Sequence, residues 1–493
     1  MVAFLLYLSS GIFLGWSLGA NDAANVFGSA VGSKMLKFRT AAIIGSIFII
    51  LGAGISGAGA AGTLDRLGSV NEIAGAFMVA LAAAVTVFWM TRLQLPVSTS
   101  QAIVGSIIGW NFFSRSLTDM GSLRGIVITW IASPVLAALF SIVIYLAVKW
   151  MLNRSKMHML KLDIYTRIAF IVAGAFGSYS LGANNIANVM GVFLSVSPFR
   201  PLNLLLVRLS PGDQLFILGG IAIAAGVASY SYRVMKTVGS GIVRLSPIAA
   251  LVVVLSTSLV LFIFASEALE SWLIAYNLPS FPLVPVSSSQ AVVGAVLGIG
   301  IVQGGRGINF RLVGKIASGW VTTPIIACLL SFISLFFIQN VFNMVVYNPV
   351  SYRITPEVAV KLHEENVYVP AIDLLVNVEF DDAVSFSERL KESDMGLEQG
   401  VIDRIIGFSE VHPMRVNLAL LDRELENNWL RSERMKTLKT LEGMEFQYKW
   451  QLYDALLAVS PAWRMKPVEP RNRSYNRMIT EKLSYLYRTF AVQ

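Results

Sequence analysis

Over its first 348 residues the chain alternates long apolar runs with short loops that hold most of that region's charge. A helix of about 20 residues spans about 30 Å of hydrocarbon, and eight runs approach or exceed that length. They lie near residues 2–18, 40–61, 70–90 and 126–147, and again near 164–181, 214–231, 247–265 and 316–346. Two shorter runs, 97–113 and 286–302, each follow a proline and include a string of hydroxyl residues, which predicts broken helices or hairpins. From Pro349 the pattern changes. Apolar positions recur at helical spacing among charges over 384–391, 413–427 and 430–457, while 368–380 reads as a strand or a buried helix. The predicted fold is an all-α integral membrane protein followed by a polar, mostly helical, soluble C-terminal domain.

Composition sharpens this division. With 55% hydrophobic and 14% charged residues, the 493-residue chain is too apolar for an ordinary soluble enzyme. Residues 1–348 carry 20 Lys and Arg against 8 Asp and Glu, whereas 349–493 carry 19 against 22. The basic excess therefore belongs to the membrane region and sits in its loops, a pattern that orients a membrane protein and gives no support to nucleic-acid binding. Lys34, Lys37 and Arg39 form one such loop, Lys149, Arg154, Lys156, Lys161 and Arg167 a second, and Arg233, Lys236 and Arg244 a third. All three are expected in the cytoplasm. The apolar N-terminus, with no positive charge ahead of it, is expected to stay as a transmembrane helix, because signal-peptide cleavage would remove the first motif below. The single cysteine, Cys328, lies in an apolar run and reads as a packing residue.

Two motifs occur twice. Gly19-Ala20-Asn21-Asp22-Ala23-Ala24-Asn25 is repeated as Gly182-Ala183-Asn184-Asn185-Ile186-Ala187-Asn188. Pro96-Val97-Ser98-Thr99-Ser100-Gln101-Ala102 is repeated as Pro285-Val286-Ser287-Ser288-Ser289-Gln290-Ala291. A weaker third pair, Trp130 with Pro134 and Trp320 with Pro324, follows in the same order. Such duplication predicts two transmembrane repeats, 1–151 and 164–348, joined by a basic cytoplasmic linker over 152–163. If the first motif helix runs inward and its counterpart after Arg167 runs outward, the repeats have inverted topology. The spacing between the motifs is 77 residues in the first half and 103 in the second, an excess assigned to loops around 198–211 and 267–282. The glycine pairs Gly15 with Gly19 and Gly105 with Gly109 read as helix packing before chemistry. The stretch from Gly52 to Gly62 lacks the Lys-Ser/Thr of a nucleotide loop.

The duplicated motifs suit two opposite charges. In the serine motif, proline breaks the preceding segment and hydroxyl residues cap the next helix, leaving backbone N–H groups at a helix start where an anion can dock. Ser98, Thr99, Ser100, Gln101, Ser287, Ser288, Ser289 and Gln290 are the candidate anion ligands. A carboxylate at membrane depth costs about 2.5–3.5 kcal/mol on insertion scales, so Asp22 calls for a cation or a proton. Asn21, Asn25, Asn184, Asn185 and Asn188 add neutral oxygen donors, a set suited to a hard cation, with Na⁺ coordinated by Asp22, Asn25, Asn185 and Asn188.

These paired motifs resemble those of the inorganic phosphate transporter family, which comprises sodium- or proton-coupled phosphate permeases, over roughly residues 1–348. The resemblance implies a duplicated helical transporter that binds phosphate between its halves with cotransported cations beside it. Many members have Asp where this chain has Asn185, and His where it has Gln101 and Gln290. The second difference removes a protonatable group and favours Na⁺ over H⁺. The three histidines, His158, His363 and His412, lie outside both motifs.

Charge counting leads to cotransport without the resemblance. A phosphate beside Asp22 brings about −2 to −3 against about +1 from two helix starts, which leaves room for two or so cations. The expected function is sodium-coupled phosphate import by alternating access in the cell membrane, with a sulfate permease or proton coupling as the alternatives. An anion channel leaves the buried acid unexplained. An enzyme would need a base beside the serines, where no His, Lys or Cys stands, so no catalytic residue and no cofactor beyond the coupling ion is expected. The expected partners are phosphate, sodium ions and the lipid bilayer, with a homodimer as the assembly to test. No catalytic constellation is legible in 349–493.

Overall fold

In the computed structural model the apolar runs become helices. The structure describes residues 2–68, 70–92, 97–155, 157–203, 208–232, 235, 245–305, 308–394, 396–421 and 430–492. Pro96, Lys156, Arg233, Lys236 and Arg244 lie outside the described residues, as does 422–427 of the predicted helical segment 413–427. The chain divides into two units, residues 1–114 with 118–347, and residues 115–117 with 348–493.

The first unit is helical, with α1 (Val2–Gly32), α2 (Phe38–Ser56), α3 (Ala58–Leu67), α4 (Ile73–Arg92), α5 (Thr99–Ser114) and α6 (Met120–Arg154). It continues with α7 (Met159–Met190), α8 (Pro211–Ser229), α9 (Pro247–Ala265), α10 (Glu267–Ala275), α11 (Ser288–Val302) and α12 (Phe310–Phe342). Local chemistry sets several starts. Ser210 and Asp213 form a reciprocal capping box at α8 with Pro211 in the first turn, and Ser246 caps α9 ahead of Pro247. The loop before α8 carries two short antiparallel strands, β1 (Leu202–Asn203) and β2 (Arg208–Leu209).

Among the described residues seven helices are long and apolar enough to cross a membrane, namely α1, α2, α4, α6, α8, α9 and α12, and α11 is a shorter apolar helix. The predicted span at 164–181 is helical, within the 32-residue α7, which also carries Asn184, Asn185 and Asn188. Two further expectations are revised. The apolar runs before the duplicated asparagine motifs do not end there: α1 continues through Asn21–Asn25 to Gly32, and α7 through Asn184–Asn188 to Met190. The alanines and apolar residues that follow are good helix formers, and nothing in either motif stops a helix. The run 40–61 is broken at Gly57 into α2 and α3.

Packing in this unit is reciprocal. A Cβ on Gly19 of α1 would overlap the Ile223 carbonyl of α8, and one on Gly226 of α8 the Trp16 carbonyl of α1. The same relation joins Gly182 of α7 to Ile49 of α2, and Gly52 of α2 to Tyr179 of α7. Each asparagine-motif helix thus packs antiparallel against a helix of the other half. A second pair of seams is parallel: Gly105 and Gly109 of α5 meet the Pro324 and Cys328 carbonyls of α12, and Gly294 and Gly298 of α11 meet those of Pro134 and Ala138 on α6. Glycine lets backbones approach to contact, which is how helices associate where lipid provides no hydrophobic drive. Toward opposite ends α1 and α7 pack against each other in opposite senses, Gly11 against the Val189 carbonyl and Phe27 against Gly174. At one of these ends Arg167 donates to the Met35 carbonyl at 2.9 Å, bringing two of the basic loops together.

The second unit is built twice. Strands β3 (Tyr352–Arg353) and β4 (Glu379–Phe380) pair antiparallel with Arg353 opposite Glu379, and β5 (Met414–Arg415) and β6 (Glu445–Phe446) pair with Arg415 opposite Glu445. The second strand of each pair leads into an 11-residue helix, α14 (Ala383–Ser393) or α17 (Lys449–Val459). Ahead of the first pair's return lies α13 (Pro356–Glu364), and between β5 and β6 lies α16 (Arg431–Thr440). A last helix in each copy, α15 (Gln399–Ser409) or α18 (Arg473–Phe490), brings the chain back to bridge the first strand, at Glu410 to Tyr352 and at Ala491 to Met414. Each copy surrounds its own core, one including Phe386, Leu390 and Ile402, the other Leu452, Trp463 and Leu486. Within the segment 430–457 the expected continuous helix is two helices with β6 between them, and 368–380 is a 3₁₀ helix (Pro370–Leu375) followed by β4. Asn377 and Gly443, both at positive φ, precede β4 and β6 by two residues and interrupt helical continuation.

The close seams make a prediction. Gly105→Ala and Gly294→Ala should each lower stability by about 1–3 kcal/mol through overpacking, whereas Gly125→Ala, where a Cβ meets nothing within 4 Å, should not. Thermal unfolding of the detergent-extracted protein measures this, and equal melting for all three variants would refute the seam geometry.

Candidate functional site

Asp22 is 1% exposed, within the helical part of α1. Ser288, the first residue of α11, donates its hydroxyl to Asp22 Oδ2 at 2.6 Å, and Asn21 donates to Oδ1 at 3.0 Å. Asn25, one turn along α1, donates to the Ser288 hydroxyl at 3.4 Å. An acid of the first asparagine motif therefore meets a hydroxyl of the second serine motif.

The opposite corner is related but not identical. Asn188 donates to Ser100 Oγ at 2.8 Å, so the second asparagine motif meets the first serine motif. Asn185, at the position matching Asp22, accepts on Oδ1 from Asn188 at 3.1 Å and from Asn184 at 3.3 Å. Asn184 is committed to the backbone, donating to the Val286 carbonyl at 2.8 Å and accepting from the Val286 N–H at 3.0 Å. That clamp fixes the peptide just ahead of α11.

The two serine motifs are tied across the halves in a matched way. Ser100 donates to the Val286 carbonyl at 3.2 Å, and Ser289 to the Val97 carbonyl at 2.9 Å. Ser98 accepts from the Gln101 N–H at 3.3 Å and Ser287 from the Gln290 N–H at 3.2 Å, capping α5 and α11. The starts of two helices, with their partial positive charge, are thereby held beside one another and beside Asp22.

All eight serine-motif candidates, Ser98 to Gln101 and Ser287 to Gln290, are buried, as are Asn21, Asp22, Asn184, Asn185 and Asn188, while Asn25 is half-buried. Five polar atoms among them have no hydrogen-bond partner: Thr99 Oγ1, Gln101 Oε1, Gln290 Oε1, Asn185 Nδ2 and Asn188 Oδ1. An unsatisfied buried group costs about 1–3 kcal/mol, and a concentration of them beside two helix starts is the mark of a site built for a polar guest. Asn188 Oδ1 and the Asp22 oxygens can face a cation, while Asn185 Nδ2 is a donor. Among the described residues no three His, Cys, Asp or Glu gather as a metal site.

Sequence reasoning selected these residues but not their division of labour. The Asn184 clamp and the cross-tied serines act on backbone carbonyls, which carry no signature in the sequence.

A model of the phosphate transporter family matches residues 18–331 and 268–396. A protein of Pyrococcus abyssi and one of Methanocaldococcus jannaschii, each named "Putative phosphate permease", are 26% and 28% identical over 403 and 330 residues. Each match covers 66% of this chain, and 96% and 95% of those proteins. A solved structure titled "The sodium-dependent phosphate transporter" shares the fold, with a TM-score of 0.55, 22% identity, and coverage of 69% of this chain and 99% of that one. With a family match over most of its length and, among the described residues, seven helices able to span a bilayer, the chain is a multi-pass membrane protein that belongs to the phosphate transporter family.

Proposed function

We propose that the protein imports inorganic phosphate across the cell membrane in symport with Na⁺, by alternating access between two inverted repeats, 1–151 and 164–348. The observation that carries this reading is the buried Asp22 carboxylate hydrogen-bonded to Ser288 at the start of α11. An anion docked on the starts of α5 and α11 would lie near a second negative group, so a cation is needed to hold both. The family and the relatives named for phosphate and sodium support the choice of ions. The antiparallel α1 and α7, and the reciprocal glycine seams, support the inverted relation.

In this reading Na⁺ binds first at Asp22, Asn25, Asn185 and Asn188, while Asn21 orients the carboxylate and Asn184 holds the Val286 peptide. Phosphate then takes the N–H groups and side chains of 98–101 and 287–290. With two or so cations offsetting Asp22 and phosphate, each net positive charge carried inward gains about 2.3 kcal/mol per 100 mV. The linker 152–163 lies in the cytoplasm, and 349–493 forms a soluble domain.

Four measurements bear on this. Replacing Na⁺ by choline at constant pH should abolish phosphate uptake into proteoliposomes; undiminished uptake would reject sodium coupling, and uptake driven instead by a pH gradient would establish proton coupling. Asp22→Asn should abolish sodium-dependent uptake while leaving the protein inserted, and uptake at the unsubstituted level would remove Asp22 from the mechanism. Thr99 Oγ1 has no partner in the fold, so Thr99→Val should leave thermal stability intact and raise the phosphate KM by the equivalent of about 0.5–1.5 kcal/mol. An unchanged KM would place the anion elsewhere, and inhibition by sulfate as strong as by arsenate would favour the sulfate reading.

A further inference from the structure

The face of the membrane on which residues 348–493 emerge follows from the course of two long helices in the first unit. Helix α6 has 35 residues, about 52 Å at about 1.5 Å per residue, so its two ends clear the roughly 30 Å of hydrocarbon on opposite sides. Its last residue, Arg154, lies in the basic linker 152–163. Its first, Met120, follows Asp119, which caps the helix by accepting from the Gly121 N–H at 2.9 Å. Just ahead of that cap come residues 115–117, which belong to the second unit. The second unit is therefore joined to the end of α6 that lies across the membrane from the linker.

The other attachment, at Tyr347, reaches the same face by an independent route. Gly105 and Gly109 of α5 lie against the Pro324 and Cys328 carbonyls of α12, so these two helices run in parallel. Helix α5 ends at Ser114, next to residue 115, and α12 accordingly ends at Phe342 on that same face. The chain stays there after α12, because Trp110, one turn before the end of α5, donates its indole N–H to the Val346 carbonyl at 3.3 Å. The start of α12 lies at the opposite face. Gln303, just past α11, donates to the Tyr145 hydroxyl near the Arg154 end of α6 at 3.3 Å, and Arg311 and Lys315 occupy the first two turns of α12. Basic residues thus gather on the linker's side, the distribution that marks a cytoplasmic face.

We infer that residues 348–493 stand outside the cytoplasm, on the face that phosphate approaches in an importer. The inference rests on the cytoplasmic place given above to the linker 152–163. Within the second unit, the loop between α5 and α6 is anchored. Arg115, at positive φ, turns the chain out of α5, and its guanidinium pairs with Asp382 at 3.6 Å. Leu117 packs against the core that includes Phe386 and Leu390. The extracytoplasmic unit therefore holds the loop at the far end of α5, a helix that begins in the first serine motif.

The test is thiol labelling of the full chain in spheroplasts, in a Cys328→Ala background that removes its single cysteine. Leu374→Cys and Val468→Cys put a thiol on each copy of the second unit, at positions 75% and 100% exposed, and Met159→Cys puts one in the linker, at a position 83% exposed. A membrane-impermeant maleimide should label Leu374→Cys and Val468→Cys as fully before permeabilisation as after it, and Met159→Cys only after it. Protection of all three until permeabilisation, or labelling of all three before it, would put the unit and the linker on one face and overturn the inference. Labelling of Met159→Cys alone before permeabilisation would overturn it differently, by keeping the two on opposite faces while reversing the cytoplasmic reading of the basic loops. An epitope fused after residue 493 checks the outcome with no substitution in the unit: antibody should bind it on spheroplasts, and binding only after permeabilisation would equally overturn the inference. None of these readouts involves phosphate, so a failure of the transport reading would appear in uptake and leave them unchanged.

Discussion

A carboxylate in the middle of an apolar helix is the constraint around which the first unit is arranged. Asp22 cannot be hydrated there, and two hydrogen bonds, from Ser288 and Asn21, are modest compensation for a charge at membrane depth. Around the two tied helix starts stand amide oxygens without a partner, those of Asn188, Gln101 and Gln290, and beyond Ser288 lies the positive start of a helix. In the function proposed above, one acid sits between a cation and an anion, which makes the occupancy of each depend on the other.

Holding that arrangement requires backbones at contact distance. The glycine seams bring α1 to α8, α7 to α2, α5 to α12 and α11 to α6, each between halves, so no half could form the site alone. The Asn184 clamp on Val286 and the crossed Ser100 and Ser289 hydrogen bonds finish the work at the level of individual peptides. Because the glycine seams and the Ser100 and Ser289 ties run between the halves, any movement of one half against the other must exchange them for another set. In the alternating access proposed above, the same residues would both shape the site and register which way it opens.

Most of the membrane unit was legible in its residues because membrane depth imposes strong rules. Long apolar runs marked the helices, and the paired Gly-Ala-Asn and Pro-Val-Ser motifs marked residues that the fold brings together, Asp22 with Ser288 and Asn188 with Ser100. What escaped depended on contacts rather than composition. The continuation of α1 to Gly32 was hidden because alanine-rich polar residues support helix as well as an end. The role of Asn184 could not be separated from that of Asn185, since both are asparagines in one motif and only the Val286 peptide distinguishes them. The tandem build of the second unit was missed for a different reason. Its copies share Arg353 with Arg415 and Glu379-Phe380 with Glu445-Phe446, matches too short to stand out, while the pairing register and chain returns that reveal the repeat lie in the backbone.

The central claim, that Asp22 holds a cation whose presence lets phosphate bind, is tested most directly by equilibrium binding of radioactive sodium to the purified protein, with and without phosphate. The account predicts saturable sodium binding that tightens when phosphate is added, with phosphate affinity tightened by sodium to the same degree, as linkage requires, and loss of both effects in Asp22→Asn. Sodium binding of equal strength in that variant, or binding indifferent to phosphate, would contradict it.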